Sequence, residues 1–365
     1  MRLFYATSAG ADFMEAHRHW REGTEDSVAL PFSGQIATFA DRAGADCMMV
    51  SGHPDRQSTT DGRFVIKHEP RWPAHGVRWH LEHIRYGLRL LRLARNFNAD
   101  TAIIDSGTMP LPMLALFSAS GMRVVPVFHN TLRPVQGQSA LSRLTLPLSK
   151  AAIRLSRPIS VSPAVYRQVG RGHQMRAQFT REYFARISPP QFKAPFNVLY
   201  VGRVEVDKGV FDIVEAAKIC GNIVHWTICG DGSAVDRLRQ EAKGLPIDVL
   251  GFVNGEEQVA LRSDCQAVIV PTKSSFTEGL AMSAVEAILS YRPLVTNCVV
   301  PALELLRPAS VEVKPDDPTS IAAGVLALAQ DRSLWQSKVD ACDQLGDPFY
   351  DRRNGLAEVL RLTLS

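Results

Sequence analysis

Short apolar runs alternate with amphipathic segments along the whole chain of 365 residues. In the first half, the apolar runs have the length of buried strands, and the segments 35–42 and 77–96 repeat apolar residues with a helical period. Such alternation predicts parallel sheets flanked by helices, which is an α/β fold. The strands expected in the first half cover residues 3–6, 46–51, 101–105, 123–128 and 159–162.

The same pattern begins again at residue 197, after a proline-rich stretch at 187–195 that has neither a helical nor a strand period. We therefore expect a first domain over 1–187, a hinge linker over 188–196, a second domain over 197–345 and a C-terminal helical segment over 346–365 that can cross back to the first domain. The expected strands of the second half cover 197–202, 224–229, 247–250, 267–270 and 294–297, and the expected helices 208–219, 233–242, 255–262, 279–290, 318–330 and 351–363.

Two carboxylates flank a predicted helix start near residue 279. The strand 267–270 ends at Pro271, so Glu278 lies at the carboxyl edge of a sheet, where open α/β folds bind ligands. A helix from 279 would leave the amides of Gly279, Leu280 and Ala281 free for a phosphate or a sugar oxygen. Glu286 follows two turns later, so both carboxylates can face one cleft. The pattern favours a sugar nucleotide, although a first-turn charge and a solvated helix residue would also explain it.

Composition excludes several classes of protein. The chain is 45% hydrophobic and 21% charged, and it has no apolar run long enough to span a bilayer. Its start is a short strand-like run rather than a signal peptide, so we expect a cytoplasmic protein. The six cysteines are scattered without a metal-binding spacing, and neither a zinc site nor a disulfide framework is predicted. We expect no metal and no cofactor.

The overall charge of +4 hides a difference between the halves. Residues 1–190 contain 24 Lys and Arg against 14 Asp and Glu, whereas residues 191–365 contain 17 against 23. The helical segment 77–96 places four arginines beside leucines and isoleucine. This pattern suits an anionic membrane surface or an acidic acceptor, or it is a solvated helix face. It does not favour nucleic acid, because exposed aromatic residues and a reading motif are missing.

Four motifs of the second half, each after an expected strand and in the same order, resemble those of the family-four retaining glycosyltransferases. The resemblance covers about residues 197–297 and also includes a strand-end histidine in the first half. The motifs are a Gly-Arg-x(4)-Lys-Gly turn at Gly202–Gly209, a Gly-x-Gly turn at Gly230–Gly232, a Leu-Gly-x-Val loop at Leu250–Val253, and a Glu-x(7)-Glu segment from Glu278 to Glu286.

The resemblance implies the GT-B fold, in which two Rossmann-like domains face each other across a cleft. It also implies a retaining, metal-independent hexosyltransferase that uses a nucleoside-diphosphate sugar. Arg203 and Lys208 would stabilise the negative charge of the departing diphosphate, Glu278 would hold hydroxyls of the sugar, and Glu286 those of the ribose. The expected donor-binding residues are Glu286, Gly279, Leu280, Ala281, Gly34, Gly230, Phe252 and Val253.

In the first half, His129 resembles the family's strand-end histidine, which faces the donor sugar, so we count it with Glu278, Arg203 and Lys208 as catalytic. Gly34 or Gly10 would approach the diphosphate. The chain departs from the family's Glu-Gly-Phe-Gly sequence, because Ala281 replaces the second glycine. Residues 10–33 have no family counterpart and are long for a loop, so we expect them to shape the acceptor side.

The expected activity is transfer of a sugar to a glycan or lipid-linked acceptor in surface polysaccharide synthesis, with peripheral contact to the inner face of the cytoplasmic membrane. Two alternatives stay open: a nucleotide-sugar epimerase of the same fold, and a non-catalytic relative that only binds the nucleotide sugar. A nicotinamide oxidoreductase is disfavoured, because the first strand is not followed by a Gly-x-Gly-x-x-Gly turn.

Overall fold

The computed structural model describes residues 1–8, 10–23, 28–72, 74, 76–137 and 140–365, with the backbone alone at 77 and 140–143. The chain forms two compact units. Unit 1 contains Met1–Asn130, Ser139–Phe179 and Asp351–Ser365, and unit 2 contains Thr131–Gln138 and Thr180–Tyr350. The α/β class predicted from the sequence is confirmed in both units.

Unit 1 is built on an eight-stranded sheet in the order β3-β4-β2-β1-β5-β6-β7-β8. All neighbouring strands are parallel except β3 and β4. The five predicted strands are present, and β3, β4 and β8 are additional. The bounds are β1 Arg2–Ala6, β2 Asp46–Ser51, β3 Ser58–Asp61, β4 Phe64–His68, β5 Thr101–Asp105, β6 Arg123–Phe128, β7 Ile159–Ser160 and β8 His173–Gln174.

Helices cover both faces of this sheet, because crossovers that run in opposite directions along it lie on opposite faces. On one face, α3, α4 and α5 bury apolar residues such as Tyr86, Leu90 and Phe117 against Phe4 and Ala102. On the other face, Phe13 of α1 stacks on Tyr5. The helices of this unit are α1 Phe13–Glu22, α2 Phe32–Arg42, α3 Gly76–Asn96, α4 Leu114–Ala119, α5 Ala140–Arg154, α6 Pro163–Val169 and, near the end of the chain, α15 Leu356–Leu364.

The segment 10–33 is not one long loop. Its central part is the helix α1, which begins after Asp12, whose carboxylate accepts from the amides of Met14 and Glu15. The sequence pattern did not predict this helix, because it is short and polar and its buried and exposed residues alternate. Residues 24–27 of the segment lie outside the described residues, and its expected role on the acceptor side stays a prediction.

Unit 2 has a six-stranded parallel sheet in the order β11-β10-β9-β12-β13-β14. Its core includes the fully buried Trp226 of β10. The strands are β9 Phe196–Val201, β10 Val224–Cys229, β11 Ile247–Gly251, β12 Ala267–Val270, β13 Leu294–Thr296 and β14 Ser310–Glu312. The helices are α7 Arg181–Phe184, α8 Val210–Cys220, α9 Val235–Glu241, α10 Gly255–Asp264, α11 Met282–Leu289, α12 Leu303–Leu306, α13 Pro318–Gln330 and α14 Arg332–Tyr350.

The units divide at other positions than those expected from composition. The stretch 188–196 lies within unit 2. Ser188 is bound there at both backbone groups, since its amide donates to Ser263 Oγ at 3.1 Å and its carbonyl accepts from Arg292 Nη2 at 2.8 Å. α7 also belongs to this unit, where Arg181 reaches Asp347 of α14 at 2.8 Å. Proline content therefore indicated an irregular segment, but tertiary contacts assign it to one side.

The segment 346–365 is divided between the units. Residues up to Tyr350 complete α14 in unit 2, and Asp351–Ser365 belong to unit 1. There α15 packs on α2, and the amide of Leu356 donates to Gln35 Oε1 at 2.7 Å. The last 15 residues thus complete the fold of the unit in which the chain begins.

Candidate functional site

The candidate site of unit 2 lies at the carboxyl edge of its sheet. β9 and β12 are neighbours, yet the chain leaves β9 towards β10 on the opposite side, so the strand order reverses between them. Such a switch point opens a crevice outside the strand ends, where α/β folds bind ligands. The segments after β9 and β12 carry six of the predicted residues, which are Arg203, Lys208, Glu278, Gly279, Leu280 and Ala281.

An ion pair between Lys208 and Glu278 forms the centre of this site. Lys208 Nζ lies 2.6 Å from Glu278 Oε2, and their side chains are only 14% and 10% exposed. Thr272 Oγ1 donates to the same carboxylate oxygen at 2.9 Å, and the amide of Gly279 donates to the other at 3.1 Å. Glu278 is therefore a partly buried carboxylate whose two oxygens are both bound.

A second cation joins the pair through an aromatic ring that the sequence did not single out. Lys208 Nζ lies 4.1 Å from the centre of the Phe276 ring, and Arg203 Cζ lies 5.8 Å from it. The negative face of an aromatic ring attracts cations. Phe276 thus holds two positive groups near one another, and their summed field suits an anion with two or more charges.

The turn after β9 reaches this geometry through close backbone packing. Gly209 has φ +76°, and a Cβ there would lie 2.1 Å from the carbonyl oxygen of Pro271. Gly230, after β10, has φ +137°, and its Cβ would lie 1.8 Å from the carbonyl oxygen of Gly202. Backbone packing is therefore sufficient to require glycine at both positions, and the donor-binding role expected for Gly230 stays a prediction.

The expected helix start at Gly279 is wrong by three residues. α11 begins at Met282, and Ala281 is its N-cap residue with φ 61°. The amides of Met282 and Ser283 lie in the first turn of α11 and have no acceptor within the helix. The Gly279 amide lies before the helix and bonds to Glu278. The sequence prediction had assigned the free amides to Gly279, Leu280 and Ala281, of which Leu280 is buried, and their donor-binding role stays a prediction.

Glu286 is neither solvated nor unpaired. It forms an ion pair with Arg262 of α10, whose side chain is fully buried. The Arg262 atoms Nε and Nη1 have no hydrogen-bond partner in the part of the chain that the structure describes. Sequence reasoning missed Arg262, because an arginine in a helix usually marks a solvated face. The one signal in the sequence was Glu286 itself. Burying an unpaired carboxylate in an otherwise apolar helix costs free energy, which pointed to a buried partner.

A second polar network holds the loop between β12 and α11. Lys273 Nζ bonds both carboxylate oxygens of Asp212 at 2.9 and 2.8 Å, and Ser274 donates to Asp316. The amide of Thr131 donates to the carbonyl of Glu278 at 3.0 Å. These contacts fix the backbone on either side of the Lys208–Glu278 pair, so the pair is held from both ends of its loop.

The remaining donor-binding predictions of unit 2 lie after β11. The Gly230 amide bonds to the carbonyl of Gly251 at 2.7 Å, which joins this loop to the turn after β10. Phe252 is 80% exposed, whereas Val253 is buried. A phenylalanine ring that is this exposed beside a candidate site is available to stack on a flat ligand group.

The predicted residues of unit 1 lie at the carboxyl edge of its own sheet. His129 follows β6, and its Nε2 lies 3.0 Å from Asp105 Oδ1 at the end of β5. Tyr5 donates to the other oxygen of Asp105 at 2.8 Å. The His129 ring also packs on Phe32, with 4.7 Å between ring centres. Asp105 and Phe32 therefore both lie against the imidazole, and the sequence singled out neither of them.

Gly34 is in the first turn of α2 and is buried, while its rival Gly10 lies in an exposed segment before α1. Among the residues described by the structure, no group of three or more His, Cys, Asp or Glu side chains is arranged to hold a metal ion. None of the helices in those ranges is long and apolar enough to cross a membrane.

Comparisons with known proteins match part of this chain to one family. Residues 184–344 match the model of the family described as glycosyl transferases group 1. The chain is similar to glycogen synthase of Mycobacterium tuberculosis, with 26% identity over 357 residues that cover 87% of this chain and 84% of the relative.

Two solved structures have the same fold. Sucrose-phosphate synthase from Thermosynechococcus elongatus is 14% identical with a TM-score of 0.72, and HepE from Anabaena, solved in complex with UDP, is 15% identical with a TM-score of 0.65. Each match covers 100% of this chain and 98% of the other. The whole chain therefore has the GT-B architecture of these structures, and its residues 184–344 are similar to the group 1 glycosyl transferases.

Proposed function

We propose that this protein is a glycosyltransferase that moves a hexose from a nucleoside-diphosphate sugar to a glycan or lipid-linked acceptor, with retention at the anomeric carbon and without a metal ion. The observation that carries the proposal is the arrangement of Arg203 and Lys208 around Phe276, beside the bound carboxylate of Glu278. Fixed cations at this position supply the charge that a metal ion would otherwise bring to a departing diphosphate.

In the proposed donor complex, the diphosphate accepts hydrogen bonds from Arg203 and Lys208 and from the amides of Met282 and Ser283 at the start of α11. Lys208 already contacts Glu278, so it links the phosphate to the carboxylate that holds the sugar hydroxyls. Glu286 binds the ribose with the oxygen that Arg262 leaves free. His129, which lies beside Asp105 in unit 1, stays a candidate catalytic residue.

UDP-glucose is the first donor to test, because one of the related structures, that of HepE, contains UDP and glucose. Polysaccharide synthesis fits the similarity to glycogen synthase. We further propose that the enzyme works in the cytoplasm, in peripheral contact with the inner face of the membrane.

A panel of nucleotides and nucleotide sugars, read by thermal unfolding, tests donor binding. A ligand that binds only the folded protein raises its midpoint, and at 100 times its dissociation constant it contributes about 2.7 kcal/mol. The anomeric configuration of the product, followed by NMR, then tests retention, and turnover in excess EDTA tests independence from metal. Conversion of the donor without any acceptor would support the epimerase alternative instead.

Lys208→Ala should lower turnover by at least about 100-fold, because one fixed cation in a partly buried site contributes about 3 kcal/mol to the transition state. Glu278 then also keeps only two of its three partners. Lys218→Ala is the matched control, since Lys218 forms an exposed pair with Glu215, and its activity should not change. Equal turnover in the Lys208→Ala variant and the wild type would contradict the proposed site.

A further inference from the structure

The outer side of one helical layer in unit 1 carries an unusual number of exposed aliphatic residues. α3, α4 and α5 bury their inner sides on the same face of the sheet, and large side chains on their outer sides face solvent. These exposed residues are Leu81, Ile84 and Leu88 of α3, Leu116 of α4, and Leu144 and Leu148 of α5.

α3 shows the arrangement most clearly. Tyr86 and Leu90 form its core stripe and are fully buried. Leu81, Ile84 and Leu88 form a second apolar stripe, because at about 100° per residue they fall within roughly 60° of the helix surface. They are 51%, 44% and 48% exposed. A helix that is apolar towards the core needs no second stripe for folding, so this one is available to bind something outside the unit.

Arginines border this second stripe without a counter-charge. Arg78, Arg85 and Arg92 lie next to it on the same side of α3 and have no carboxylate partner among the residues that the structure describes. Arg89 is paired with Glu82 at 2.7 Å, and Glu82 is the single carboxylate in the sequences of α3, α4 and α5. The layer therefore presents a positive potential mixed with aliphatic surface.

Trp72 extends this surface beyond α3. It is 70% exposed, and a cavity of about 600 Å³ separates it from Arg78, Arg85 and Arg89. Leu81 contributes an apolar wall, and Glu82 in the lining is paired with Arg89, so that the guanidinium groups of Arg78 and Arg85 give the cavity its positive charge. Such a cavity accepts a phosphate-bearing headgroup while the indole lies at the level of the headgroups.

We infer that the outer face of α3, α4 and α5 docks on an anionic lipid bilayer, with Leu81, Ile84 and Leu88 in the acyl boundary and Arg78, Arg85 and Arg92 on lipid phosphates. This inference rests on the proposed function, because docking on a membrane would bring the protein to a lipid-linked acceptor. Binding of this kind adds buried apolar area to electrostatic attraction. The aliphatic stripe has no carboxylates among its residues. Such a surface fits a lipid bilayer better than an acidic protein, because a protein interface would also need hydrogen-bond partners.

Co-sedimentation with vesicles of phosphatidylcholine, with and without phosphatidylglycerol, tests the inference on the full chain. The wild type should bind only the anionic vesicles, and the binding should weaken at about 1 M salt, where charges are screened beyond ~3 Å. The variants L81S/I84S/L88S and R85E/R92E should each bind at least about tenfold more weakly, because each removes one of the two contributions.

Matched controls are Leu362→Ser on α15 and Arg18→Glu on α1, which change exposed residues of the same unit outside this layer. Their vesicle binding should equal that of the wild type. Equal binding of the wild type to both vesicle types, no binding to either, or an equal loss in the controls would overturn the inference. So would retention on polyglutamate without any vesicle binding, which would assign the surface to an acidic protein.

Thermal unfolding with the donor panel separates this inference from the proposed function. All variants of the layer should be stabilised by the donor as strongly as the wild type, because none of the proposed donor residues lies on α3, α4 or α5. Donor stabilisation without vesicle binding would remove the docking surface alone. Vesicle binding without donor stabilisation would instead remove the proposed transfer reaction.

Discussion

At the scale of single residues, the candidate site contains one ion pair and one alanine in a backbone conformation that alanine disfavours. Lys208 and Glu278 lie partly buried at 2.6 Å, so each lowers the desolvation cost of the other. Ala281, the N-cap of α11, has φ 61°, a region that alanine disfavours by about 1–2 kcal/mol. The sequence showed this substitution of the family's glycine, but its backbone consequence needed the structure.

Ala281→Gly should stabilise the protein by about 1 kcal/mol, because glycine adopts positive φ without steric cost. The free energy of unfolding in urea measures the change. Ala151→Gly, at an exposed position of the helix α5, is a control of opposite sign and should destabilise by about 0.5–1 kcal/mol. A loss of stability in Ala281→Gly would show that this position carries no strain.

His83 gives α3 a pH dependence. Burial, and then the charge of Arg71, lower the pKa of His83 to about 4, and its Nδ1 accepts from Arg71 at 2.8 Å. Because the unfolded chain binds this proton near pH 6.5 and the folded protein does not, stability is present above that pH and falls as the pH drops towards 4. The loss between pH 7 and pH 5 should be about 2 kcal/mol.

His83→Phe keeps a ring for stacking on Trp79 and removes the titrating group. Urea unfolding at pH 7 and pH 5 should show a smaller loss in this variant than in the wild type. An identical loss in both proteins would mean that other groups cause the acid sensitivity.

At the scale of elements, the contact between α10 and α11 shows how a binding residue is held. Arg262 crosses from α10 to Glu286 of α11, and the pair fixes the carboxylate that we propose binds ribose. Neither helix could reveal this contact alone, since the two residues are 24 positions apart. Arg262 thus positions another residue, whereas charged residues of helices usually lie on a face that contacts solvent.

Arg262→Leu should destabilise the protein by about 3 kcal/mol, because it leaves the carboxylate of Glu286 without its partner in a largely buried position. The double variant R262L/E286L should recover much of this loss, since no charge is then left unpaired. Unfolding in urea of the two single variants and the double variant forms the required cycle. Purely additive losses would exclude an energetic coupling between the two residues.

At the scale of the whole molecule, the last 15 residues complete the unit in which the chain begins. Leu356, Val359 and Leu360 of α15 are buried, and α15 packs on α2. The stability of unit 1 thus depends on residues that follow unit 2 in the sequence. The same unit carries the proposed docking face, whereas the proposed donor residues other than His129 and Gly34 belong to unit 2.

Leu360→Ala should cost about 2–5 kcal/mol, as expected for a fully buried leucine. Hydrogen exchange should become faster in β1, β2 and α2 of unit 1 and stay unchanged in β9 and β10 of unit 2. Leu362→Ala is the control, since Leu362 is 47% exposed and should change neither unit. Faster exchange in both units would mean that they unfold together.

The sequence alone was enough to predict the α/β class, most strand positions and the order of the motifs that carry Arg203, Lys208, Glu278 and Glu286. These features depend on local periodicity and on residue spacing, which the chain carries without its partners. Short edge strands such as β3 and β8 gave too little apolar signal. The long helix α14 includes Pro348, a residue that usually ends a helical pattern.

The folded structure was needed to show which residues meet. The Lys208–Glu278 pair joins positions 70 residues apart, and Phe276, Arg262 and Asp105 acquired their roles from contacts that no local pattern encodes. It also assigned the proline-rich stretch to unit 2 and α15 to unit 1. The physical reason is that burial, ion pairing and backbone strain are properties of neighbours in space, whereas the sequence specifies only neighbours along the chain.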